Sequence, residues 1–412
     1  MDKRFFNIFG LTEEQALSIL EKPSEELEDK TDRYVAVSHL INFPTERSVA
    51  ALIDVVNNND PDLYNRIARR KAVESLGRLK AVKAIPAIAQ CLEDEDCYTV
   101  ENAVWAIGEM GCEDKDILDR IVGLLDKKDQ SYRVIIQSLA KLDYKPAIDL
   151  IQKFQDNEDP TLVSTAISAL TRLTQDNSQM PKVAEFLQHE SVNARRACIQ
   201  DLIDANYFQA IPAISRCPVS MVFRLRALRQ LGSVAITNNH QGFTEIEPYL
   251  TQVVNDAPSS LEFVHEYDQQ PSLDFLIGEL YHTDFGRCYL ATQTLLEIYP
   301  QEAPDALLAT WEKEAHNDYG AHYHVIKLLG WLRYEPAYDL LVEGLHNEMP
   351  QFQKSRSAAA IALGNLGDRK AVPLLKETLE SPIFNLRYAS VLGLQALDVH
   401  EHPTLEAIWG GK

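Results

Sequence analysis

The chain is poor in positive charge, in turn-forming glycine and proline and in paired cysteines, and it contains no long apolar run. Lys and Arg number 40 against 61 Asp and Glu, a formal net charge of −21. A polyphosphate partner needs a basic footprint, so this deficit argues against nucleic acid, and it argues equally against an anionic membrane surface. No stretch reaches the roughly 18 apolar residues of a spanning helix, so no membrane insertion is expected. The opening MDKRFFNIFG lacks the apolar core and small-residue cleavage site of a secretory signal, which predicts a cytoplasmic protein. The six cysteines, Cys91, Cys97, Cys112, Cys198, Cys217 and Cys288, form no CxxC pair and are too few for a disulfide framework. They read as small buried hydrophobes with free thiols. His322 with His324, and His400 with His402, lack the i, i+4 spacing of a helical zinc site, and no carboxylate completes either set, so no metal is expected. Alternating strand patterns are absent too. What remains, with 45% hydrophobic residues and only 17 Gly and 19 Pro in 412, is an ordinary foldable chain built from helices.

An internal repeat organises those helices. The segment from Ala72 to Leu79 superimposes on Ala103 to Met110: a small residue, branched apolar residues and a glycine coincide. The pattern returns, less cleanly, from Ile135, Ala166, Cys198, Ala227, Ala291, Val325, Ala359 and Ser390, with an upstream copy at Ala36 to Phe43. The glycine slot runs from position 41 to position 395 in eleven periods of about 32 residues. Before each glycine-bearing helix stands an acidic turn suited to capping a helix N-terminus, such as Asp94-Glu95-Asp96. Before that turn runs a second amphipathic helix, often opened by proline, as at Pro146 and Pro336. One such helix cannot bury its apolar stripe alone, so neighbours must stack. The expected fold is all-α: a right-handed α-solenoid of about 11–12 HEAT-like helical-hairpin repeats, one elongated array with local contacts throughout. Its expected divisions are a helical cap at 1–31, repeats at 32–235, a degenerate repeat or insertion at 236–290, and further repeats at 291–412.

The residues in the slot before the alanines carry a resemblance. Apolar–Arg pairs stand at Ala68-Arg69, Phe223-Arg224 and Leu386-Arg387, with looser forms at Arg195 and Arg356. The run from Tyr98 to Glu109, YTVENAVWAIGE, resembles the signature of the E/F-type phycobilin lyases. The segments Arg69 to Gly77 and Asn42 to Arg47 are similar to the long, single-chain members of that family that act on phycoerythrin. The resemblance covers nearly the whole chain. It implies an enzyme with no permanently bound cofactor whose substrate is an open-chain tetrapyrrole. It implies phycoerythrobilin joined by a thioether bond to a cysteine of a phycoerythrin alpha subunit, inside a cyanobacterial cell that builds phycobilisomes. Some relatives also isomerise phycoerythrobilin to phycourobilin during attachment. HEAT repeats alone also serve as non-catalytic adaptors, and related proteins degrade phycobilisomes, so those functions stand as alternatives.

By the same resemblance the glycine-bearing helix of each hairpin lines the groove. At i, i+4 spacing this puts Arg70, Glu101, Trp105 and Arg133 side by side, with Arg196 further along. The chemistry needs cations for two propionates, a carboxylate for the pyrrole nitrogens and proton movement, and aromatic walls. Arg70, Arg133 and Arg196 are therefore candidates to bind the bilin, with Tyr98 and Trp105 against its rings and Glu101 as the catalytic carboxylate. Each has a plainer rival: Glu101 as a partner of Arg70, Trp105 as packing between repeats, Tyr98 as a turn residue. The slot residues Arg69, Arg195, Arg224, Arg356 and Arg387 fit an Asp–Arg ladder between repeats. The turn-rich stretch 236–290 is either an eroded repeat or a groove wall, and in the latter case His282 and Asp284 are candidates for proton movement.

Overall fold

The computed structural model describes residues 10–23, 26–27 and 29–410. Residues 1–9, 24, 25 and 28 of the expected N-terminal cap lie outside them, as do 411 and 412. Contacts divide the chain into two compact units, Met1–Gln179 and Met180–Lys412. Among the described residues there are helices and no strands.

The first unit holds α1 (Glu13–Glu21), α2 (Asp32–Leu40), α3 (Glu46–Asn57), α4 (Leu63–Arg78), α5 (Ile85–Gln90), α6 (Cys97–Met110), α7 (Lys115–Gly123), α8 (Tyr132–Lys141), α9 (Ile148–Gln152) and α10 (Pro160–Thr174). Each odd-numbered helix pairs with the even-numbered helix after it, and the even-numbered helices stack on one another in order. Local chemistry sets the boundaries. Asp62 caps α4 by accepting from the amides of Tyr64 and Asn65, and Asp114 and Asp159 cap α7 and α10 in the same way. Proline in the first turn opens α5 and α10, where its missing N–H is not needed. The glycine slot has a steric cause. A Cβ on Gly77 would lie 2.8 Å from the Cβ of Ala106 on the next stacked helix, so only glycine allows that approach. The alanine and branched positions, Ala68, Ala72, Val73, Leu76, Ala103, Val104 and Ile107, form the buried core.

The second unit holds α11 (Met180–Glu185), α12 (Val192–Asp204), α13 (Ile211–Arg216), α14 (Met221–Thr237), α15 (Phe243–Asn255), α16 (Leu273–Glu279), α17 (Phe285–Ile298), α18 (Ala303–Lys313), α19 (Ala321–Trp331), α20 (Tyr338–His346), α21 (Gln353–Leu366), α22 (Val372–Glu377), α23 (Phe384–Ala396) and α24 (Leu405–Gly410). Here the expectation of local contacts throughout fails. Helix α15 leaves the neighbour-to-neighbour order and packs against α21, α23 and α24, and Thr251 shares a 2.8 Å hydroxyl contact with Tyr388. A second set of long-range contacts gathers at the end of α15. Asp256 takes a left-handed conformation there (φ 52°), is fully buried, and receives hydrogen bonds from Arg224, from Tyr323 and from Tyr289 at 2.8 Å. Lys327 lies 3.2 Å from the same carboxylate and donates to the Asn255 carbonyl at 2.6 Å. One carboxylate thus ties together α14, α15, α17 and α19, so the stretch 236–290 supplies the centre of this unit.

The Arg slot is structural. Arg69 donates to the Val56 carbonyl at 2.7 Å and pairs with Asp94. Arg195 donates to the His189 and Glu190 carbonyls at 2.7 and 2.8 Å and pairs with Asp284 at 2.6 Å. Arg224 pairs with Asp256, and Arg387 donates to the Ser381 carbonyl at 2.7 Å. Each long cation satisfies carbonyls at the end of a preceding helix, where intrahelical donors have run out.

Candidate functional site

Three places collect the groups that chemistry would need. On the first unit, α4, α6 and α8 bring the expected cluster onto successive stacked helices, with internal partners for its charges. The Arg70 Nε lies 3.2 Å from a carboxylate oxygen of Asp96, and its guanidinium sits 5.4 Å over the Tyr98 ring. Tyr98 is 60% exposed, so that ring offers an open aromatic face. Glu101 accepts from the Ser131 hydroxyl of the next repeat. Arg133 donates to the Thr161 carbonyl at 2.9 Å and to the Thr165 hydroxyl. Trp105 is half-buried against the core, and its ring stands where a Cβ on Gly77 would be, at 2.8 Å. The indole therefore packs between repeats.

A second cluster surrounds the turn before α17. Asp284 caps that helix through the Gly286 amide at 2.8 Å, pairs with Arg195, and meets His265 Nε2 at 3.0 Å. Burial works against its ionisation, but the hydrogen bonds from Arg195 and His265 hold its carboxyl below the ordinary range. His282 accepts from the Asp284 amide at 2.9 Å through Nδ1, and its Nε2 faces Arg287 at 3.3 Å. His282 and Asp284 are thus adjacent, and Asp284 is committed to holding Arg195. Arg196 donates to the Thr283 carbonyl at 3.1 Å and lies 5.3 Å over the ring of Phe223.

The third place is a cavity of about 650 Å³ in the second unit. Met221, Val222, Leu225, Arg226, Arg229, Gln230 and Ser233 of α14 form one wall; Gln353 and Lys354 of α21 and Phe384 and Asn385 of α23 form the other. Arg229 stands 4.1 Å over the Phe384 ring, and both burial and the like charge of Arg387 disfavour its protonation. Arg226 donates to the Gln200 side chain. Lys354 is 3% exposed, its ammonium has no hydrogen-bond partner, and it lies 3.4 Å from the centroid of Tyr319 and 4.2 Å from that of Phe285. Burial pushes its pKa down to about 7. Among the described residues, none of Arg226, Arg229, Lys354 and Arg387 pairs with a carboxylate.

Sequence reasoning did not single out Arg226, Arg229 or Lys354. A signal existed for the first two: FRLRALRQ places three arginines within six positions of a chain short of cations, and only Arg224 is on the structural slot. Nothing local distinguishes Lys354, because it lies more than 120 positions along the sequence from the α14 residues it shares the cavity with. Among the described residues no group of three or more His, Cys, Asp or Glu converges as a metal site would, and no helix is long and apolar enough to cross a membrane.

Comparison with known proteins follows the same repeat. The family of HEAT repeats matches residues 64–140, and the PBS lyase HEAT-like repeat matches residues 355–381. The chain is 57% identical to the uncharacterized phycocyanin operon protein Y of Pseudanabaena tenuis (strain PCC 7409), over 96% of this chain and 94% of that one. It is 34% identical to the bilin biosynthesis protein CpeY of Synechococcus sp. (strain WH8020), over 90% of each. Among solved structures, the CpcE–CpcF complex of phycocyanin lyase from Nostoc sp. PCC7120 aligns with a TM-score of 0.50 and 25% identity, covering 59% of this chain and 95% of that one.

Proposed function

Because the chain belongs to the E/F-type phycobilin lyase family, we propose that it attaches phycoerythrobilin by a thioether bond to a cysteine of a phycoerythrin alpha subunit, in the cytoplasm. The observation that carries the lyase reading is similarity along 90% of the chain to a bilin biosynthesis protein. The choice of phycoerythrobilin and of phycoerythrin rests on the segments Arg69 to Gly77 and Asn42 to Arg47, which are similar to the long members acting on phycoerythrin.

The reaction is an addition without net oxidation. The acceptor thiol loses its proton, sulfur bonds to the ethylidene carbon of ring A, the carbon–carbon double bond is consumed, and one proton is delivered to the adjacent ring carbon. The nucleophile belongs to the acceptor, so this chain has to orient the bilin, exclude water and move that proton. Glu101 is the group we assign to the proton. It is half-buried, three positions on from the exposed Tyr98 in the same helix, and its carboxylate accepts from the Ser131 hydroxyl. Tyr98, with Arg70 over it, offers a ring to the bilin.

Co-production with a phycoerythrobilin-synthesising system and separate phycoerythrin and phycocyanin subunits tests this reading. The alpha phycoerythrin subunit is expected to acquire colour through a thioether located by peptide mass spectrometry. Colour only on phycocyanin would move the acceptor, a phycourobilin spectrum would add isomerisation, and colourless acceptors throughout would refute the lyase reading. Glu101→Gln is expected to slow attachment about a hundredfold, the lower end for a general acid or base, with an unchanged helical signal; full activity would remove Glu101 from the proton path.

A further inference from the structure

We propose that the cavity between α14, α21 and α23 is a binding site for a dianionic linear tetrapyrrole, with Arg226 and Arg229 receiving its carboxylates and Met221, Val222, Leu225 and Phe384 lying against its rings. The proposal rests on the lyase reading and adds a second place that holds a bilin, on a different unit from the Arg70–Tyr98–Glu101 face.

Charge balance is the first reason. This chain has 21 more acidic than basic residues, so several cations gathered around one space with no carboxylate among its lining residues stand out. At the Arg70 face of the first unit the cations are balanced: Arg69 and Arg70 face Asp94 and Asp96. The cavity is different. Arg226, Arg229 and Lys354 line one space with Arg387 close by, and none has a carboxylate partner among the described residues. Holding like charges together at a partly dry wall is unfavourable unless an anion arrives to balance them.

The second reason is the chemistry of the walls. Apolar and aromatic side chains fill the space between the cations, and the volume of about 650 Å³ lies in the range that holds cofactor-sized ligands. An inorganic anion would need the cations without the apolar lining, and a lipid tail would need the lining without the cations. A conjugated ligand carrying two carboxylates uses both. Lys354 is a lining residue whose ammonium is buried over the Tyr319 and Phe285 rings, so it adds to the cationic character of the wall without itself meeting a ligand.

Titration of the purified full-length protein with phycoerythrobilin, and separately with its dimethyl ester, tests the proposal by absorbance and circular dichroism. The ester keeps the rings and removes both charges. The free acid is expected to bind at least about tenfold more tightly than the ester, since each charge-assisted contact is worth that much. An Arg226→Gln, Arg229→Gln double variant should lose about tenfold or more for the acid and little for the ester. Lys376→Gln, which removes one positive charge at an exposed pair with Glu401, should lose nothing. The ester comparison uses unaltered protein and so does not depend on how the variant folds. Equal affinity for acid and ester, or wild-type affinity in a folded double variant, would overturn the cavity as a bilin site while attachment to an acceptor persisted. Failure of the unaltered protein both to bind phycoerythrobilin and to colour an acceptor would instead refute the lyase reading, and this site with it.

Discussion

Replacing Asp256 with Asn should unfold the second unit far more easily, and the buried charges set the size of the effect. The Arg224 and Asp256 side chains are 0% exposed and that of Lys327 is 2% exposed. The carboxylate faces two cations and accepts from two tyrosine hydroxyls. Burial opposes its ionisation, but Lys327 and Arg224 hold its pKa below the ordinary range. The amide removes the charge, keeps the volume and leaves both cations uncompensated. Stranding one partner of a buried pair costs about 3–5 kcal/mol. For a unit of this size that lowers the melting temperature by roughly 10 °C. The pH dependence follows from the lowered pKa. The stabilisation from this carboxylate is fully present above its unfolded pKa of about 4 and is lost as pH falls through the lower folded value. Differential scanning calorimetry at pH 7 and at descending pH should show the second-unit transition shifted at pH 7 in Asp256→Asn, with the difference shrinking in acid. Adding Lys327→Met to Asp256→Asn should recover part of the loss, because one stranded cation is removed. A shift below about 2 °C at pH 7, less than 1 kcal/mol for a unit of this size, would refute the view that this carboxylate organises the unit.

Three further outcomes follow from the geometry. Lys354 has a folded pKa of about 7 against an unfolded value of about 10.4, so the unfolded state binds more protons between them and stability rises with pH across that window. Lys354→Met should flatten that rise in melting curves from pH 6 to 10, leaving the smaller part due to Lys327, whose pKa burial lowers to about 8; an unaltered slope would contradict the burial of its charge. Gly364→Ala would place a Cβ 2.6 Å from the Cα of Gly393, so it should destabilise by about 1–3 kcal/mol in chemical unfolding, and a neutral effect would show that α21 and α23 separate freely. Brief treatment of the native protein with maleimide should modify one thiol by intact mass, that of the half-buried Cys97, because the other five cysteines are buried and burial pushes the Cys217 and Cys288 thiols up to about 12; several fast thiols would contradict the packing.

The sequence by itself determined what depends on neighbours along the chain. The period of about 32 residues, the capping acids, the slot glycines and the slot arginines each act within one hairpin or on the next, as Gly77 does against Ala106 and Arg69 does on Val56 and Asp94. Arg70, Tyr98, Glu101 and Arg133 could be placed on successive helices for the same reason, though not the partners that neutralise Arg70 and engage Arg133. Tertiary structure decided the rest. The stretch 236–290 has no readable repeat, yet Asp256 draws Arg224, Tyr289, Tyr323 and Lys327 onto one carboxylate across 32 to 71 positions of sequence. In the same unit α15 packs on α21 and α23, and Arg229 of α14 lies beside Phe384, 155 positions away in a sequence whose pattern extends only 32. A periodic code specifies the stacking of like on like, and it carries no information about where a break in the period sends the chain.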